Sequence, residues 1–129
     1  MENNILYSVK DTDIINGKFT IPEKITIIGD GVFENRSDLE EIDTQNVEVI
    51  GVGAFHNCKN LKKVNATNVG IIDDAAFYNC ENLKKVIMPN LEYINLYAFD
   101  NCISLPCPND KVRKEIYEKT LEYLNKNEL

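Results

Sequence analysis

The sequence predicts an α/β solenoid, a stack of about four coils of 22 residues, and three sets of positions carry that prediction. Phe33, Phe55, Phe77 and Phe99 recur at one interval, and Asn35, Asn57, Asn79 and Asn101 keep the same step. So do Leu39, Leu61, Leu83 and Leu105, together with Cys58, Cys80 and Cys102. A fixed period in the twenties marks a repeat architecture in which each unit buries its apolar face only against its neighbours. The 129 residues make one domain, with an N-terminal cap over residues 1–28, repeats over 29–108 and a C-terminal capping helix over 109–129.

In chain order, the first element is a β-hairpin cap. Asn16-Gly17 stands between Ile14-Ile15 and Phe19-Thr20-Ile21, a strong turn signal between two apolar runs. Within a coil, Ala54, Phe55, Cys58 and Leu61 lie at i, i+1, i+4 and i+7, one face of a short helix. Val64 and Ala66 then alternate with Lys63, Asn65 and Thr67, which reads as a short strand with one face buried. Val47/Val69/Leu91 and Ile50/Ile72/Ile94 complete the lining. Gly29, Gly51, Asp73 and Asn95 share the register just after the lining isoleucine, and these residue types tolerate a left-handed backbone. A tight corner with φ > 0 is expected there in every coil. The asparagine columns 35/57/79/101 and 46/68/90 are expected to satisfy backbone groups of neighbouring coils as structural ladders. Pro106 and Pro108 separate the last coil from a helix with Asp110 as N-cap and Ile116, Tyr117, Leu121 and Leu124 on one face. Short solenoids need such caps, and caps at both ends are expected of a complete protein.

The coils read GDGVFENRSDLEEIDTQNVEVI, GVGAFHNCKNLKKVNATNVGII, DDAAFYNCENLKKVIMPNLEYI and NLYAFDNCISLPCPNDKVRKEI. The run Ala-Phe-x-Asn-Cys-x-x-Leu-x-x-Val, with an Ile eleven residues after the Leu, resembles the BspA-type leucine-rich repeat over residues 19–108. The resemblance implies a right-handed solenoid of short strands and short helical or turn segments. It also implies a binding protein, often at a microbial surface. Two features depart from the family, Arg36 where later coils have Cys and Gly70 nine residues after Leu61, and no secretory segment is expected ahead of the repeats.

Charge narrows the partner class. The net charge of −7 argues against direct nucleic-acid binding and against an anionic membrane surface. No apolar run approaches the ~20 residues of a membrane-spanning helix. The opening Met-Glu-Asn-Asn has neither a basic nor an apolar leader region, so a cytoplasmic location is expected unless a signal was removed. The wealth of Asn, Ile and Lys fits an AT-rich bacterial or phage source. Three of the four cysteines are column residues, expected inward and reduced in a cytoplasmic chain. The spacing permits a Cys102–Cys107 bridge without requiring one.

No constellation for catalysis, cofactor or metal emerges. His56 is the only histidine and lies two residues before Cys58, which favours a surface position beside a core thiol over a zinc ligand. Tyr78 and Asp100 occupy the equivalent column beside Cys80 and Cys102, so no Cys–His pair recurs. The Gly-x-Gly pairs at 29–31 and 51–53 do not extend to a phosphate-binding fingerprint.

Function is therefore expected on outward columns. Glu41, Lys63 and Lys85 form one, Asp43, Asn65 and Ile87 the next, with Tyr78, Tyr93 and Tyr97 nearby. The leading expectation is a non-enzymatic protein-binding module that uses Glu41, Lys63, Asn65, Lys85, Ile87 and Tyr93 on an exposed sheet face. A solvated mixed-charge face is the plain alternative. Two further alternatives are a small acidic phage- or mobile-element-encoded inhibitor of a bacterial defence nuclease, mimicking phosphates with Asp and Glu, and a surface adhesin module.

Overall fold

The computed structural model describes residues 4–95 and 97–105 together with Glu118; the helix expected over 109–129 otherwise lies outside the described residues, as do Pro106, Cys107 and Pro108. Among the described residues nine short strands follow in chain order: β1 (Ile5–Leu6), β2 (Lys18–Thr20), β3 (Ile27–Ile28), β4 (Glu41–Asp43), β5 (Val49–Ile50), β6 (Lys63–Asn65), β7 (Ile71–Ile72), β8 (Lys85–Ile87) and β9 (Tyr93–Ile94). They form two parallel sheets, β1-β3-β5-β7-β9 and β2-β4-β6-β8. Each coil gives one strand to each sheet, so the 22-residue period becomes an in-register pairing: Ile50 beside Ile72, Val64 beside Val86.

A third wall closes each coil, and here the structure departs from expectation. The segments around the phenylalanines are turns, not short helices. Alternate amides leave the coil: Gly53, Phe55 and Asn57 donate to the carbonyls of Asp74, Ala76 and Tyr78 at 2.9, 2.7 and 2.8 Å. The amides between them bond three residues back, as His56 does to Gly53 at 3.0 Å. A helix would use every amide within its own coil and leave nothing to tie this wall to the next one. The alternation needs left-handed residues, and the wall supplies them at Gly31, Gly53 and Ala75 (φ 66°, 61° and 54°) and at Asn35, Asn57, Asn79 and Asn101 (φ 63°, 61°, 62° and 60°). The i, i+1, i+4, i+7 spacing nevertheless marked the inward face correctly: Ala54, Phe55, Cys58 and Leu61 are fully buried.

The expected left-handed corner at Gly29, Gly51, Asp73 and Asn95 is therefore misplaced by two residues, because none of these has positive φ. Gly51 is required by space instead. A Cβ there would stand 2.8 Å from the Ile28 carbonyl and 2.6 Å from Asp30 Oδ1. In the later coils Asp73 and Asn95 use their side chains to accept from the amides of Asp74 and Tyr97 at 2.8 and 3.0 Å.

The N-terminal hairpin is reduced to its turn. Ile15 and Lys18 exchange two bonds at 2.9 and 3.0 Å around Asn16 (φ 52°) and Gly17 (φ 80°). Beyond that bridge the chain joins the solenoid, β1 pairing with β3 and β2 with β4. The cap is thus an irregular coil in its own right. Its Phe19 meets Phe33 edge-on, with centroids 5.2 Å apart and planes at 72°, and ends the parallel ring stack. Arg36, in the cysteine column, forks onto Asp38 at 2.9 and 3.1 Å and reaches Asp11 of the cap at 3.6 Å. The guanidinium holds the Asp38 carboxyl below its ordinary range, chiefly through the hydrogen bond.

The core is a set of columns along the stack. Phe33, Phe55, Phe77 and Phe99 stack with centroids 5.0, 5.0 and 4.9 Å apart and planes within 7°. Cys58, Cys80 and Cys102 donate their thiols to the carbonyls of Phe33, Phe55 and Phe77 at 3.0, 3.1 and 3.0 Å. All three are free and buried. The neighbouring column thiols of Cys102 and Cys58, then burial, push the Cys80 thiol above its ordinary pKa. Native protein is accordingly expected to resist Ellman's reagent at Cys80, with rapid reaction only after urea. Below the ordinary thiol pKa of about 8.5 both folded and unfolded Cys80 hold the proton. Above it only the unfolded chain releases it, so Cys80 makes stability fall as pH rises.

Candidate binding faces

Both asparagine columns are ladders. Asn57 Nδ2 donates to Asn35 Oδ1 at 3.0 Å and Asn79 to Asn57 at 2.9 Å, with Asn101 continuing onto Asn79. Asn46, Asn68 and Asn90 each donate to a carbonyl of the preceding coil, at 2.9, 2.8 and 2.7 Å. A third column, not singled out from the sequence, does the same: Asn60 and Asn82 bond the Ser37 and Lys59 carbonyls at 2.7 and 2.6 Å. Its 22-residue recurrence was its only signal, and Asp38 breaks the run in the preceding coil. These amides are committed to the stack, which leaves the outer sheet faces as the candidate sites.

The outer face of the sheet β2-β4-β6-β8 carries two rows. Lys18, Glu41, Lys63 and Lys85 stand side by side, and beside them Thr20, Asp43, Asn65 and Ile87. A concavity of about 260 Å³ opens over Lys18, Thr20, Glu41, Asp43, Lys63 and Asn65. Lys18 reaches Glu41 at 3.9 Å, and on the flanking column Lys62 reaches Glu40 at 3.6 Å. Lys63 and Lys85 are exposed and make no ion pair among the described residues. Ile87 is half-buried rather than fully exposed.

Tyr93 does not belong to this face. It lies on β9 in the other sheet, in register with Ile71. Nor do the tyrosines share one wall. Tyr78 lies on the turn wall, its ring stacked on His56 at 5.1 Å and 8°, whereas Tyr97 is 60% exposed just beyond β9. His56 is therefore a half-buried imidazole packed on an aromatic ring, with Nδ1 3.9 Å from the Glu34 carboxylate. Among the described residues no three His, Cys, Asp or Glu side chains are grouped to hold a metal ion.

Five of the six residues expected to bind a partner, all but Tyr93, thus lie together on the sheet face of a 22-residue solenoid. The model of the BspA-type leucine-rich repeat region matches residues 10–125, with six copies. The chain belongs to the BspA-type leucine-rich repeat family. A crystal structure of a leucine-rich repeat protein from Bacteroides ovatus is similar, with 31% identity and a TM-score of 0.58. The match covers 78% of this BspA-type chain and 27% of the Bacteroides chain. No curated protein matches the sequence. The BspA-type repeat generally serves as an interaction scaffold, and in this member its recurrent residues are the ones absorbed by the ladders and ring stack.

Proposed function

We propose that the protein is a non-enzymatic module that binds another protein through the outer face of β2-β4-β6-β8. The observation that carries this is the in-register stack of Lys63 on Lys85, exposed and without a carboxylate partner among the described residues. Like charges directly opposite on neighbouring strands disfavour folding slightly. An acidic surface on a partner would neutralise them, with Asn65 supplying hydrogen bonds and Ile87 an apolar contact beside them. Columns that vary between coils are free to carry recognition, because the fixed columns hold the fold.

The lysines keep this particular face from being the continuous phosphate-like surface that an acidic inhibitor would use. The double variant Lys63→Glu, Lys85→Glu should abolish capture of the partner from the native host while shifting the urea melt only slightly, since it exchanges one like-charged row for another. Equal capture by both proteins would remove this face from consideration.

A further inference from the structure

The other sheet presents a second outer surface of different chemistry. Its inward row, Leu6, Ile28, Ile50, Ile72 and Ile94, packs on the core. Its outward row is also apolar: Ile5, Ile27, Val49, Ile71 and Tyr93 stand in strict register. Ile71 is 40% exposed, and the other four are half-buried. A parallel sheet normally has both faces covered. The residues around this row are one-signed: Asp30, Glu48, Asp73, Asp74 and Glu92 flank it, and residues 4–8, 26–30, 48–52, 70–74 and 92–95 contain no Lys, Arg or His.

We propose that this acid-rimmed apolar row is a docking surface for a cationic amphipathic helix of a partner protein, separate from the lysine face. Spacing favours a helix. Neighbouring strands are about 4.8 Å apart, so the row offers one apolar side chain per step over about 19 Å. A helix laid along it presents an apolar residue about every 5.4 Å, once per turn, and about 13 residues span the row. An extended segment would present a same-side residue only every ~6.7 Å and fall out of step within two strands. The rim decides the sign of the partner, because Lys or Arg bordering the apolar stripe of the helix would face carboxylates on both sides. A second copy docked row to row would bring two acidic rims together. Docked through its lysine face, it would set ammonium groups on the apolar row.

The test uses a labelled synthetic 14-residue Leu/Lys peptide patterned to be amphipathic when helical. A scrambled peptide of the same composition and a Leu/Glu counterpart serve as controls. Fluorescence anisotropy with the full chain should show binding of the patterned peptide, at least tenfold weaker binding of the scrambled one, and no binding of the Leu/Glu peptide. Ile71→Ser and Val49→Ser should each weaken the patterned peptide at least tenfold with unchanged circular dichroism. The Lys63→Glu, Lys85→Glu protein should bind it as the parent does, which separates this site from the lysine face. Equal binding of the scrambled peptide, or indifference to both serine variants, would overturn the proposal. So would sedimentation of the parent as a dimer that Ile71→Ser dissociates, since a second copy would then cover the row.

Discussion

Phe77→Ala is expected to lower the unfolding free energy by about 3–5 kcal/mol in urea melts, the usual cost of removing a buried aromatic. The ring is fully buried and lies between Phe55 and Phe99, at 5.0 and 4.9 Å. Its loss removes two ring contacts, each worth about 0.5–1.5 kcal/mol beyond area burial. It also opens a void that the coils on either side cannot collapse into, because their backbones are fixed to each other by amides such as Phe77 N–H to the Ala98 carbonyl at 2.7 Å. Phe77→Leu keeps most of the volume and should cost clearly less. A loss below about 1 kcal/mol for the alanine variant would show that the ring column does not hold the coils together, since even modest core truncations usually exceed that.

Asn57→Val should be nearly as damaging, for a different reason. Asn57 has φ 61°, donates to Asn35 at 3.0 Å and accepts from Asn79 at 2.9 Å. A side chain branched at Cβ in the left-handed region costs roughly 1–2 kcal/mol. The two lost hydrogen bonds add about 0.5–1.5 kcal/mol each. Asn57→Gly isolates the second contribution, because glycine accepts the backbone without strain. The valine variant should therefore melt at lower urea than the glycine variant, by an amount equivalent to roughly 1–2 kcal/mol. Equal midpoints would mean that the left-handed conformation at this position carries no cost.

Much of this was legible in the sequence because periodicity reports burial directly. The inward columns of Phe, Cys, Leu and Ile all point where their recurrence placed them. Periodicity does not report how the backbone turns. The i, i+1, i+4, i+7 spacing fits a helix and a turn wall equally well, and only the destination of alternate amides tells them apart. Gly29 and Gly51 invited a left-handed reading because glycine serves both φ > 0 and close approach, and here it serves close approach. Asn16-Gly17 did mark a turn, but pairing across it stops at the Ile15–Lys18 bridge, and Lys18–Thr20 takes its parallel partner from Glu41–Asp43 of the next coil. The outward lysines were legible as columns. The assignment of Tyr93 to their face failed because one coil feeds two sheets, and a linear pattern does not say which wall a strand joins.

The ladders also bear on how the molecule can change over evolutionary time. Residues 51–72 meet the coil before and the coil after through the same kinds of bond, from Asn57 and Cys58 to the Phe55 ring. Duplicating that block would lengthen the rod by one rung without altering either terminus. Reach can thus be adjusted in whole units by recombination, while the grip of each exterior wall is tuned independently by point substitution.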